Sequence, residues 1–149
     1  MTLIRITKKF EFEMAHALLG YDGPCKNIHG HSYKLYVTII GNQITDVNSP
    51  KNGMVIDFLQ LKSIVKNCII AQFDHSLVLN KKITNEIIKN NKKPFGNLIL
   101  LPYQPTCENL IIDFANRIKK KLPDNVKLFS LKLKETNSSY TEWYADDNK

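Results

Sequence analysis

Two stretches of this chain alternate apolar and polar residues with a period of two, and this pattern limits its possible folds more than any other feature. In residues 3–16 the apolar side chains fall on even positions, interrupted only by Lys8, and in residues 29–40 they fall on odd positions. A period of two is typical of strands with one buried face. Glycine, aspartate and proline residues between the two stretches return the chain. We therefore predict a hairpin-like pair of long neighbouring strands.

Three of the four histidines lie on these strands with the parity of the apolar residues. His16 ends the first strand, and His29 and His31 begin the second, about 7 Å apart along the chain. Because side chains alternate between the faces of a strand, all three imidazoles project to the same side of the pair. Three neutral nitrogens on one apolar surface are a common donor set for a divalent cation such as zinc.

The pattern leaves two kinds of metal site open. In a catalytic site, three histidines hold the ion and the fourth position is left for water or substrate. In a closed structural site, Cys25 supplies the fourth ligand, since a Cys-x-x-x-His-x-His spacing is able to close around one ion. A structural site needs no further titratable groups, so the additional ones in this chain favour the catalytic interpretation.

Two helices are predicted from their caps and their apolar spacing. Asp57 is a suitable N-cap for a helix whose apolar residues recur at helical spacing as far as Ile69. Thr106, which follows Pro105, is a suitable N-cap for a second helix that ends before Pro123. Each helix carries one apolar side and is expected to pack that side against the sheet.

The remaining segments are less regular. Residues 126–135 and 140–144 alternate again and are predicted to form two further strands. Residues 81–103 are irregular and lysine-rich, and we predict only a short helix near 85–90 and a strand at 97–101 within them. The main order is therefore two strands, two helices and two strands.

This order predicts an α+β fold, with a four-stranded antiparallel sheet that carries two helices on one face. A chain of 149 residues is long enough to bury a single core of ordinary size. We see no internal repeat and no linker, so residues 1–149 are expected to form a single domain.

Composition and charge narrow the possible partners and location. The net charge of +7 fits either an anionic partner or simple solubility. The basic residues at 117–121 fall late in a predicted helix, where cations favour the helix dipole, and we expect no nucleic-acid partner. The chain has no apolar run of membrane-spanning length, so no membrane partner is expected. Three widely spaced cysteines argue for a reducing compartment, and we expect a cytoplasmic protein.

Four more side chains could carry chemistry. Glu135 shares its predicted face with three apolar residues, Phe129, Leu131 and Leu133. It is either a solvated strand end or a buried anchor that accepts two N–H donors from a planar heterocycle. His75 beside Asp74 is either a proton shuttle or a solvated loop pair. Cys25 is either a metal-activated thiolate or an incidental thiol in a turn.

Six short motifs follow one another along nearly the whole chain: Ala15-His16, Cys25-x-x-x-His29-Gly30-His31, Gly53-Met54-Val55-Ile56-Asp57-Phe58, Asp74-His75 with Leu79-Asn80, Pro105-Thr106-x-Glu108-Asn109, and Glu135-Thr136. In this combination the chain resembles the 6-pyruvoyltetrahydropterin synthase and 6-carboxytetrahydropterin synthase family, which has the tunnelling fold. Each motif is modest alone, but the ordered set is highly specific.

The resemblance implies a set of roles for these residues. It implies Zn²⁺ bound by His16, His29 and His31. It implies a proton-transfer set of Cys25, Asp74 and His75. It implies a pterin pocket formed by Glu135, Thr106 and Glu108. The implied substrate is 7,8-dihydroneopterin triphosphate. Members of this family form trimers whose sheets close into a barrel, and two trimers stack into a homohexamer, so the Asp-His pair can reach the cysteine from a neighbouring chain.

The spacing within the second motif indicates the branch of the family. Three residues separate Cys25 from His29, which resembles the branch that forms 6-carboxy-5,6,7,8-tetrahydropterin in queuosine and 7-deazapurine biosynthesis and that releases triphosphate and acetaldehyde. The pyruvoyl-forming branch of tetrahydrobiopterin synthesis is the alternative. An alternative of another class is a non-catalytic, zinc-stabilised binding module in which Cys25 is a metal ligand.

Overall fold

Six strands form one mixed, twisted sheet in the computed structural model, which describes residues 2–83, 88, 90 and 96–149. The strands are β1 (Ile4–His16), β2 (His29–Gly41), β3 (Ser76–Asn80), β4 (Leu98–Leu101), β5 (Val126–Lys134) and β6 (Tyr140–Tyr144). Their order across the sheet is β4-β3-β1-β2-β5-β6. The two long strands predicted from the alternation lie at its centre.

The pairing of β1 with β2 confirms the predicted pair of strands. The two strands are antiparallel along their whole length, and the register sets His16 opposite His29 and Met14 opposite His31. The even positions of β1 and the odd positions of β2 face the core, as the alternation requires. The core-facing residues of the two strands include Phe10, Phe12, Met14, Tyr33, Leu35, Val37 and Ile39.

The prediction of a four-stranded, wholly antiparallel sheet is wrong. β3 and β4 extend the sheet beyond β1, and the pairs β1–β3 and β3–β4 are parallel. The sequence did not indicate β3, because its first four residues are all buried and therefore show no alternation. The predicted strand at 97–101 is confirmed as β4. The predicted short helix near 85–90 lies largely outside the described residues.

Two helical segments cover one face of the sheet, as predicted. Their parts are α1 (Phe58–Val65), a π-helical turn (Lys66–Ile70), the short continuation α2 (Ala71–Phe73), and α3 (Cys107–Lys119). The Asp57 carboxylate accepts the N–H of Leu59 at 2.8 Å, and the Thr106 hydroxyl accepts the N–H of Asn109 at 3.2 Å. Both predicted N-caps are therefore confirmed. No helix among the described residues is long and apolar enough to cross a membrane.

A β-bulge in β5 changes which of its side chains face the core. Thr38 pairs with Ser130 but the next residue of β2 pairs with Leu128, so Phe129 is the extra residue of the bulge. Phe129 consequently points to the outer face, where the Arg5 guanidinium lies 4.1 Å from its ring centroid. The prediction that Phe129 shares the face of Glu135 is wrong. Beyond the bulge, Leu131 and Leu133 are buried as predicted.

Candidate functional site

The three histidines of β1 and β2 converge on one point at the end of the strand pair. Their ligand nitrogens all lie within 4.8 Å of one another, and His16 is almost fully buried while His29 and His31 are partly exposed. The Nε2 atoms of His16 and His29 are 3.1 Å apart. The predicted metal ligands are therefore brought together by the register of the two strands.

Hydrogen bonds fix the orientation of two of these rings. The Nδ1–H of His16 donates to the carbonyl of Pro105 at 2.7 Å, and the Nδ1–H of His29 donates to the carbonyl of Asn27 at 2.8 Å. A carbonyl oxygen can only accept, so Nδ1 carries the proton in both rings and each neutral ring presents a lone pair at Nε2. Two lone pairs 3.1 Å apart repel each other unless a cation lies between them. The site therefore fits a metal ion.

The protonation states of His16 and His31 also suit a metal. Burial lowers the pKa of His16, and this effect outweighs the hydrogen bond to Pro105 and the nearby Glu135 carboxylate, which act in the opposite direction. Burial likewise lowers the pKa of His31. Both rings are therefore neutral near pH 7, which is the form that binds zinc.

Glu135 and Tyr33 complete the inner part of the site. Glu135 Oε1 lies 3.3 Å from Nε2 of His16 and 3.5 Å from Nε2 of His31, and the Tyr33 hydroxyl donates to the same oxygen at 3.2 Å. Tyr33 is fully buried, and its ring stacks on Phe12. Burial and the Glu135 carboxylate raise the pKa of Tyr33 far above its usual value, so the hydroxyl remains a proton donor.

The loop before α3 connects the helix to the histidines. The side chain of Gln104 binds both backbone groups of Leu19, accepting from its N–H at 3.1 Å and donating to its carbonyl at 2.7 Å. Asn109 donates to the carbonyl of Gln104 at 2.9 Å. These contacts hold the loop in which the Pro105 carbonyl accepts from His16. Glu108 follows in the first turn of α3 and is exposed.

Cys25 does not join the histidine cluster. It lies in a short 3₁₀ helix (Pro24–Lys26) and is partly exposed, and its carbonyl accepts the N–H of Leu18 at 2.9 Å. Within residues 2–83, 88, 90 and 96–149, the group of ligand atoms that could hold one ion contains histidines alone. This arrangement of side chains therefore does not favour a closed site with a cysteine ligand.

Asp74 and His75 lie beside β1, and His75 lines the same cavity as His31. Asp74 Oδ1 accepts the N–H of Glu13 at 2.9 Å and lies 3.0 Å from Nδ1 of His75. His75 adopts a left-handed backbone conformation with φ 56°, and its side chain is 78% exposed beside a cavity of about 510 Å³. In the described part of the chain, no hydrogen bond or ion pair joins this pair to Cys25 or to the histidines.

With this geometry established, comparison with known proteins identifies the family. A sequence model of the 6-pyruvoyl tetrahydropterin synthase family matches residues 5–146. The chain belongs to this family. A relative from Haemophilus influenzae named 6-carboxy-5,6,7,8-tetrahydropterin synthase is 37% identical over 147 residues, which cover 95% of this chain and 99% of the relative.

Solved structures of the 6-pyruvoyl tetrahydropterin synthase fold superpose on almost the whole chain. The crystal structure of an uncharacterized protein from Wolinella succinogenes has a TM-score of 0.77 at 19% identity and covers 97% of this chain and 99% of that one. The 6-pyruvoyl tetrahydropterin synthase of Caenorhabditis elegans has a TM-score of 0.68 at 22% identity and covers 97% of both chains. These likenesses support the fold.

Several side chains and carbonyl groups of the candidate site were not predicted from the sequence. Tyr33 has the parity of the histidines and follows His31 by two residues, so the alternation of β2 could have identified it. The carbonyls of Asn27 and Pro105 could not be found in this way, because any residue supplies a carbonyl. The two-point contact of Gln104 depends on a distant loop and leaves no local signal.

Proposed function

We propose that this protein converts 7,8-dihydroneopterin triphosphate to 6-carboxy-5,6,7,8-tetrahydropterin, with release of triphosphate and acetaldehyde, as a zinc-dependent lyase of queuosine and 7-deazapurine biosynthesis. The observation that carries the proposal is the convergence of three imidazoles whose ligand nitrogens all lie within 4.8 Å of one another, two of them with Nε2 left free by a carbonyl that accepts from Nδ1–H. The name of the Haemophilus influenzae relative and the short spacing between Cys25 and His29 favour the carboxy-forming reaction.

In this proposal, His16, His29 and His31 hold Zn²⁺ through their Nε2 atoms. When bound there, zinc would polarise oxygen groups of the substrate side chain and stabilise the negative charge that develops on them. Burial keeps His16 and His31 neutral. The carbonyls of the adjoining loops keep the rings of His16 and His29 in the orientation that binding requires.

The protein's own acid–base groups would move the protons. Cys25 takes a carbon-bound proton next to the pterin ring, and Asp74 and His75 exchange protons with it. The contact between Asp74 and His75, at 3.0 Å, supports their acting as a unit. Because neither side chain contacts Cys25 within the described chain, this proposal requires a neighbouring subunit to supply the pair, as in a homohexamer built from two trimers.

The pterin ring would be held by Glu135, with help from Thr106 and Glu108. The Glu135 carboxylate contacts the cluster, and its side chain is one-quarter exposed, so part of it remains accessible from solvent. A carboxylate can accept two parallel N–H donors from such a ring. The net charge of +7 would favour the collection of a triphosphate-bearing substrate.

The test is to incubate the purified, zinc-loaded protein with 7,8-dihydroneopterin triphosphate and to follow the products by mass spectrometry. Formation of 6-carboxytetrahydropterin together with acetaldehyde and triphosphate supports the proposal. A 6-pyruvoyl product would instead identify the branch that makes tetrahydrobiopterin precursors. If zinc is bound and neither product forms, both versions of the function are wrong.

A pair of cysteine variants separates the enzyme from a non-catalytic zinc module. Cys25→Ala should retain zinc and lose turnover if the thiol acts on substrate, whereas a module closed by Cys25 would lose zinc. Cys68→Ala is the matched control, since Cys68 is partly buried on the helical segment and its thiol contacts the carbonyl of Val65 at 4.0 Å. This control should retain both zinc and turnover.

A further inference from the structure

The carboxylate of Glu135 lies at ligand spacing from two of the three histidines. In a tetrahedral zinc site with bonds of about 2.0 to 2.1 Å, neighbouring ligand atoms are about 3.3 to 3.4 Å apart. The distance between Nε2 of His16 and Nε2 of His29 is 3.1 Å. Glu135 Oε1 lies 3.3 Å from Nε2 of His16 and 3.5 Å from Nε2 of His31. Three of the six edges of such a donor set are thus close to tetrahedral spacing. The group whose ligand atoms all lie within 4.8 Å of one another contains the three histidines without Glu135, so the carboxylate must move toward His29 to complete the set.

We propose that Glu135 is the fourth ligand of the metal while the pterin pocket is empty, and that it leaves this position when it binds a pterin ring. The inference rests on the metal site and the pterin-binding role in the proposed function. It adds that the metal and the ring compete for the same carboxylate, so that the fourth position opens only when the ring has arrived.

The surroundings of Glu135 hold the carboxylate in this position. The Tyr33 hydroxyl donates at 3.2 Å to Oε1, the same oxygen that faces the histidines. A hydrogen-bond donor behind a ligand atom is a regular feature of metal sites, because it orients the ligand. The backbone is also fixed at this point, since the N–H groups of Glu135 and Thr136 both donate to the carbonyl of Ser139, at 3.1 and 3.3 Å.

Charge favours the same arrangement. Imidazole is a neutral ligand when it binds a metal, so three of them leave the +2 charge of a zinc ion uncompensated within a partly buried cluster. The Glu135 carboxylate is the anionic group in contact with two of the three rings. Coordination through Oε1 brings one negative charge into the donor set. A ring that donates to both oxygens of Glu135 requires Oε1 to turn away from the metal, so the two interactions exclude each other.

The first test measures the coupling in the unmodified protein. Unsubstituted pterin serves as the probe, because it carries the ring but no side-chain hydroxyls that could reach the metal. Its dissociation constant is measured by calorimetry with metal-free and with zinc-loaded protein. Zinc loading should weaken pterin binding by at least about fivefold, the lower end of ordinary coupling between two sites. Equal or tighter pterin binding after zinc loading would overturn the inference.

The second test measures zinc affinity by competition with a chromogenic chelator. Glu135→Gln should bind zinc at least about tenfold more weakly than the unmodified protein, and zinc should no longer weaken its residual pterin binding. Glu142→Gln on β6 is the matched control, because it makes the same change in charge at a carboxylate that pairs with Lys132 outside the cluster. It should keep the original zinc affinity and the original coupling.

The outcomes separate this inference from the function on which it rests. If the unmodified protein binds no zinc, the metal centre and the proposed function both fail. If it binds zinc with an affinity that Glu135→Gln does not change, the metal centre stands and only the role of Glu135 as a ligand is wrong.

Because a substitution can disturb folding, the circular dichroism spectra of the variants are compared first. A crystal structure of the zinc-loaded protein without pterin gives an independent answer. A distance of about 2 Å between Glu135 Oε1 and the metal supports the inference, and a carboxylate turned away from the metal overturns it.

Discussion

The Tyr33 hydroxyl allows a test of the site that changes a single atom. Tyr33 is fully buried and stacks on Phe12 with ring centroids 5.2 Å apart, and its hydroxyl donates to Glu135 at 3.2 Å. Tyr33→Phe keeps the ring and its packing and removes only the donor. The loss of stability in this variant therefore measures the hydrogen bond rather than a large cavity.

The expected magnitude follows from the geometry. A hydrogen bond to a charged group contributes about 1.5 to 3 kcal/mol. The distance of 3.2 Å is long for a hydroxyl that donates to a carboxylate, and the Glu135 side chain is 25% exposed, so water can replace part of the interaction. We therefore expect the free energy of unfolding to fall by about 1 to 2 kcal/mol. For a chain of this size, that corresponds to a fall in Tm of about 2 to 8 °C.

The assay is thermal unfolding of the metal-free protein, followed by circular dichroism at one protein concentration because assembly makes Tm depend on concentration. Tyr36→Phe is the matched control, since Tyr36 lies on the same strand but on its outer, partly exposed face. This control should change the free energy of unfolding by no more than about 0.5 kcal/mol. An unchanged Tm in Tyr33→Phe, or an equal fall in the control, would refute the role assigned to the hydroxyl.

Three further predictions concern the proposed metal ligands and a buried thiol. His16→Ala should bind zinc at least about tenfold more weakly by chelator competition, while its circular dichroism spectrum remains that of a folded protein. Burial lowers the pKa of His16 and His31 below 6.5, so the folded metal-free protein binds fewer protons than the unfolded chain. Its free energy of unfolding, measured by urea titration, should therefore fall as the pH drops below 6.5. Burial raises the pKa of Cys107 to about 11, so Cys107 should resist alkylation at pH 8 in the folded protein and react in urea, as read by mass spectrometry.

The parts of the fold that could be predicted are those in which one face is buried and the other is not. β1 and β2 alternate over their whole length, so their existence, their neighbouring positions and the common face of the three histidines all followed from a period of two. Asp57 and Thr106 cap their helices because a side-chain oxygen satisfies a free N–H, which is a local requirement. Both signals lie within a few residues of the feature that they predict.

The parts that could not be predicted depend on distant contacts. Residues 76–79 of β3 are buried throughout, so they show no alternation, and the parallel pairing with β1 is set by packing. The bulge at Phe129 inverts the parity of β5 within a run that still looks alternating. The contact between Asp74 and His75 was uncertain from sequence because adjacent side chains usually diverge, and the left-handed backbone of His75 accompanies their approach.

The histidine cluster shows how the two kinds of information combine at the site. The strand register alone brings His16 opposite His29, but it does not decide which nitrogen of each ring is free. That choice is made by two carbonyls, one of them at Pro105, in a loop that Gln104 ties to Leu19. The folded protein therefore presents two Nε2 atoms, 3.1 Å apart, to a cation before the cation binds. A cation that binds only the folded chain stabilises it. Zinc should therefore raise the Tm of the unmodified protein, and this rise should exceed the fall in Tm caused by losing any single ligand contact.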